Sequence, residues 1–235
     1  MRSIRSTLAA AAIALCAAGA ALAGPFAEYE ADARIAYAAY RSALFRSNTD
    51  DQKGSVAAIT RFSAEWGKLA GKWSKTTPPQ YADDKAFIGE LKSVGDLSGK
   101  ALAQAKAGDL KAAHLTLEAI RDILATQRKR NGLVAYSDHV NAYHSHMETM
   151  LKAAYANDRT RLIADTGVLT YLAGQLKAHA PEDYAKKPEF GEALSALEAS
   201  VTAIQKAMDK GDMAAAVQAV KLLKKPYAMF FVRWG

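Results

Sequence analysis

Histidine, methionine and aspartate recur in the second half of this chain in a pattern that could bind a soft transition metal. His146, Met147 and Met150 fall on one stretch, Asp165 follows, and Met208 and Met213 flank Lys210-Gly211. Thioether sulfur and imidazole suit copper, and a carboxylate adds charge. Helical cores use the same residue types for another end, methionine filling irregular gaps and an aspartate sitting at a wet helix end. A second candidate is aromatic. Tyr227, Phe230, Phe231 and Trp234 follow Pro226 at i, i+3, i+4 and i+7, one face of a helix. Such a stripe either closes a core or docks on a periplasmic protein or a membrane surface.

The remaining histidines are weaker candidates. His139 and His146 share a helix face, but His144 lies about 200° around from His146, so the pair cannot chelate one ion from a regular helix. His114 and His179 read as helix-boundary residues. There is no glycine-rich phosphate loop, cysteine nucleophile, His-Glu-x-x-His or serine elbow, so the chain reads as a binding protein and not an enzyme.

These residues sit on an internal repeat. At a constant offset of 103, Pro78, Tyr81, Ala82 and Phe87 reappear as Pro181, Tyr184, Ala185 and Phe190. Gly108-Asp109 likewise becomes Gly211-Asp212. Each copy predicts four helices, near 27–46, 50–75, 84–106 and 109–130, then 137–155, 158–179, 187–209 and 212–234. Apolar residues step by three and four, as in Ile59, Phe62, Trp66, Leu69 and Trp73, or in Leu194, Leu197, Val201, Ile204 and Met208. That period packs helices at shallow angles. The expected fold is all-α, two tandem antiparallel four-helix bundles over 24–132 and 133–235. Asn48 to Asp50, Asn157-Asp158 and Ser137 or Asp138 are expected helix caps.

Residues 1–23 read as a signal peptide. Arg2 and Arg5 precede an apolar run, and Ala21-Leu22-Ala23 is a small-x-small cleavage site. Its removal takes away Cys16, the only cysteine, so no disulfide can brace the exported protein. The expected location is the periplasm. Net charge is +7 with the signs interspersed. Arg128-Lys129-Arg130 fits a helix C-terminus better than a nucleic-acid patch, and no nucleic-acid partner is expected.

Pro-x-x-Tyr-x-x-x-x-x-Phe, then a long apolar helix, then Gly-Asp opening an alanine-rich last helix, resembles the cytochrome c′ family. Pro78, Tyr81, Phe87, Gly108 and Asp109 carry the resemblance in the first copy, and Pro181, Tyr184, Phe190, Gly211 and Asp212 in the second. It implies periplasmic four-helix bundles. That family attaches haem through Cys-x-x-Cys-His near the end of the last helix. The corresponding segments here, 124–128 and 227–231, hold neither cysteine nor histidine. The chain therefore resembles a haem-less relative, with no covalent haem. A haem held non-covalently by a His/Met pair is an alternative, as is a structural module without any metal.

Comparing the copies singles out the second. Asp165 stands where the first copy has Phe62, and Met208 and Met213 where it has Ala105 and Leu110. In the first helix, matching Ala36-Tyr37 to Ala142-Tyr143 sets an offset of 106, which pairs Tyr40 with His146, Arg41 with Met147 and Leu44 with Met150. The up-down topology then predicts that Asp165, His146 and the four methionines meet at one end of the second bundle. Sequestration or delivery of copper is the function this favours.

Overall fold

The computed structural model describes residues 24–235; the proposed signal peptide, 1–23, lies outside the described residues. Helices α1 (Pro25–Ser47), α2 (Gln52–Trp73), α3 (Phe87–Lys106) and α4 (Leu110–Arg130) form the first half. The second half has α5 (Tyr136–Tyr155), α6 (Arg159–Ala178), the single turn α7 (Glu182–Ala185), α8 (Pro188–Asp209), α9 (Met213–Leu222) and α10 (Lys224–Trp234). Among the described residues there is no strand. Helix α1 packs on α2, α2 on α3, α3 on α4, and α4 returns to α1. In the second half α5 packs on α6, α6 on α8, and α8 on α9 and α10, both of which return to α5.

Local chemistry sets the boundaries. Asp51, Asp109, Asp158 and Asp212 each accept a backbone N–H three residues on, from Gly54, Ala112, Arg161 and Ala215, which satisfies a free donor of the first helical turn. Gly108 and Gly211 end α3 and α8 at φ of 85° and 70°, the left-handed conformation that terminates a helix and strains other residues. Asn157 does the same between α5 and α6 at φ 53°. Two caps differ from expectation. Asp51, not Asn48 to Asp50, caps α2. Helix α5 starts at Tyr136, and Asp138 reaches back to accept the Ala135 N–H.

The stripes predicted on α2 and α8 are buried throughout. The expected last helix, 212–234, is two helices that break at Leu223. Pro226 explains the break. It has no N–H for the carbonyl four residues back, and its ring crowds that carbonyl.

Packing also corrects the pairing of the first helices. Tyr29 meets Trp73, Tyr81 and Phe87. Tyr136 meets the repeat counterparts Tyr184 and Phe190 and donates to the Leu176 carbonyl. Tyr136 therefore occupies the place of Tyr29, an offset of 107, and Met147 rather than His146 replaces Tyr40. The 106 pairing followed a local Ala-Tyr match, whereas the core recognises only which side chains face inward.

The two halves share a seam where α10 lies on α1. Buried Arg41 donates through Nη1 to the Gly235 carbonyl and through Nη2 to the Arg233 carbonyl at 3.2 Å. Arg128 forks onto Asp138 at 2.9 and 2.6 Å, and Asn141 donates to the Tyr37 hydroxyl.

Candidate functional site

The residues predicted to bind metal occupy α5, α6 and the α8–α9 turn. Met147, Met150 and Met208 are buried core residues, and Met213 is half-buried at the edge of the core. Asp165 is 2 % exposed, as its place on a core stripe requires. Its carboxylate already has a partner, because Arg161 Nε donates to Oδ2 at 2.9 Å from the previous turn. The Arg161 side chain stays 51 % exposed, so the guanidinium relieves the buried charge while remaining hydrated. His146 is half-buried, and its Nδ1 is buried without a partner. Among the described residues no group of three or more His, Cys, Asp or Glu side chains is placed to hold a metal ion.

The aromatic stripe is spent inside the molecule. Tyr227, Phe230, Phe231 and Trp234 are all buried. Tyr227 stacks on Tyr143 and His144, while Phe230 and Trp234 pack on Phe190. Helix α10 turns the stripe toward α5, α8 and α1. His139 stacks on His179 with ring centroids 4.3 Å apart, a geometry in which the two rings cannot point lone pairs at one ion.

Two openings line the seam instead. The first is a cavity of about 220 Å³. Its inner wall is Tyr40, Phe62, Trp66 and Tyr81 from the first half, and its outer wall includes Tyr37, Arg34, Tyr136 and Tyr184. Two polar groups of the inner wall are committed to backbone carbonyls. Tyr40 donates its hydroxyl to the Leu117 carbonyl at 2.8 Å, and Trp66 donates Nε1–H to the Leu91 carbonyl at 2.9 Å. Burial raises the Tyr40 phenol well above its ordinary value and pushes Tyr81 up to about 12, so both stay protonated at neutral pH.

The second opening is a polar cleft of about 130 Å³. His114 and Glu118 face it from α4, and His144 and Glu148 from α5, each pair one helical turn apart. Arg121 pairs with Glu118 and Lys224 with Glu148. His114 Nδ1 sits 3.1 Å from the Leu44 carbonyl. Burial holds both imidazoles below their ordinary 6.5, and the Arg121 charge adds to this at His144.

Sequence reading pointed to the second half and missed the aromatic cavity, which the first half mostly builds. One signal was available. Arg41 falls within the inward face of α1, where a cation needs a partner from elsewhere in the fold. Comparison of the chain with protein-family models, curated proteins and solved structures returns no match.

Proposed function

We propose that this chain is an exported, periplasmic, non-catalytic binding protein of two tandem antiparallel four-helix bundles, related to the cytochrome c′ family but without its haem. Its ligand is a small molecule held in the cavity at the seam. The reading rests on one observation: about 220 Å³ of space, walled mainly by aromatic side chains, with the polar atoms of Tyr40 and Trp66 already hydrogen-bonded to backbone carbonyls. An unfilled space of that size costs a helical core stability, and cavities of comparable size lined by apolar side chains take up aromatic guests. Export rests on the sequence of residues 1–23 alone.

The test is thermal protection by small aromatic compounds, with Ala33→Trp as the blocked control, since half-buried Ala33 lines the cavity. Protection of wild type and none of the variant is expected. Equal behaviour of the two proteins would refute the site.

A second reading, copper at His146, Met147, Met150, Asp165, Met208 and Met213, is favoured by the unpartnered buried Nδ1 of His146 beside two methionines on its own helix. Copper retained after desalting by wild type and lost by an Asp165→Ala/His146→Ala variant is its expected signature. Equal retention by the two would sink it.

A further inference from the structure

Three guanidinium groups line the cavity, from Arg34, Arg41 and Arg128, together with the Glu30 carboxylate and Gly235, the last residue of the sequence, whose oxygen Arg41 binds. Arg128 is neutralised by its two bonds to Asp138. Glu30 accepts from Gln80 Nε2 at 3.0 Å. Among the described residues Arg34 forms no ion pair with a carboxylate. Arg41 is buried at the seam with its Nη atoms on backbone carbonyls, whereas Arg34 is exposed. The cavity thus runs from an aromatic end, where the Tyr40 and Trp66 donors are already bonded, to a mouth at exposed Arg34.

We infer that the ligand is an aromatic monocarboxylate whose ring system lies among Tyr40, Phe62, Trp66 and Tyr81 and whose carboxylate meets Arg34. This rests on the seam cavity being a binding site. Ring edges and faces prefer aromatic neighbours in offset or edge-to-face contact, and the only large aliphatic side chain in the wall is Leu124. A planar guanidinium matches a carboxylate with two parallel N–H donors. Size follows from volume. A cavity of roughly 150 Å³ holds benzene, so this one holds a body on the order of ten heavy atoms, two fused rings. A polar substituent on the inner ring would lose its hydration without a partner, so the acid group has to sit at the ring's outer edge.

Calorimetric titration with 2-naphthoate, its neutral analogue 2-naphthylmethanol and aliphatic octanoate tests this. Naphthoate is expected to bind about ten-fold more tightly than the alcohol, the effect of one charge-assisted contact. Octanoate is expected to bind more weakly than naphthoate. In Arg34→Gln the advantage of acid over alcohol should vanish while the alcohol binds as before; Arg34→Lys should keep part of it. Equal binding of naphthoate and the alcohol to wild type would overturn the anionic class and leave the cavity reading standing. Tighter binding of octanoate would overturn the aromatic class. An unchanged acid preference in Arg34→Gln would remove Arg34 from the site. No binding of any probe would take down both this inference and the cavity reading.

Discussion

Replacing Arg41 with alanine should loosen the hold of the second half on the first. The guanidinium is 7 % exposed and joins α1 to the two backbone carbonyls of Arg233 and Gly235. A hydrogen bond from a charged donor contributes about 1.5–3 kcal/mol net. The Gly235 carbonyl is buried and receives the full effect, and the 3.2 Å bond to Arg233, on an exposed residue, contributes about half of it. Against this, Arg41 Nε is buried with no acceptor, a desolvation cost of about 1 kcal/mol that the alanine variant escapes. The balance is about 1.3–3.5 kcal/mol, a shift of roughly 10- to 400-fold in the docking equilibrium. Urea unfolding followed in parallel by far-ultraviolet dichroism and tryptophan fluorescence reads the effect. With a slope of about 2 kcal/mol per molar urea, the earliest transition should move down by about 0.6–1.8 M. Arg41→Lys should fall between, because a compact ammonium lacks the planar, spaced donors of the guanidinium. A single transition with an unchanged midpoint in Arg41→Ala would show that the arginine does not join the halves.

Three further outcomes follow from the same geometry. Burial depresses the pKa of His114 and His144, so the folded state takes up fewer protons than the unfolded chain; stability should be complete above pH 6.5 and fall as pH drops below it. Glu118 and Glu148 temper this and Arg121 and Lys224 sharpen it, and a His114→Gln/His144→Gln variant should show a flatter dependence of urea midpoint on pH. Asp165→Leu should stabilise the protein by about 1–2 kcal/mol, because exposed Arg161 returns to water when the buried carboxylate is gone; destabilisation would assign the carboxylate another task. Asp109→Ala and Asp212→Ala should each cost about 1 kcal/mol of stability in thermal unfolding, as equivalent caps in the two halves.

Much of the fold was legible one helix at a time. The three- and four-residue steps of Ile59 to Trp73 and Leu194 to Met208 marked faces that are in fact buried. Gly108-Asp109 and Gly211-Asp212 marked real helix junctions, because a left-handed glycine followed by a capping aspartate satisfies both helix ends locally. Asp165 was rightly placed in a core stripe, but its partner Arg161, one turn away, was not foreseen. The local match of Ala36-Tyr37 to Ala142-Tyr143 lies one residue, about 100° of helix, away from the pairing the core uses, so it sets Tyr40 against His146 instead of Met147.

The sequence alone determined where helices begin, end and turn inward, because capping, left-handed glycine and apolar period act within a few residues. Only the tertiary structure decided what the inward faces meet. It buried Tyr227, Phe230, Phe231 and Trp234, set Arg41 on backbone oxygens nearly two hundred positions away, and left an aromatic cavity beside exposed Arg34. Those outcomes depend on how two packed halves fit together, and shape complementarity between distant surfaces leaves no period in the chain.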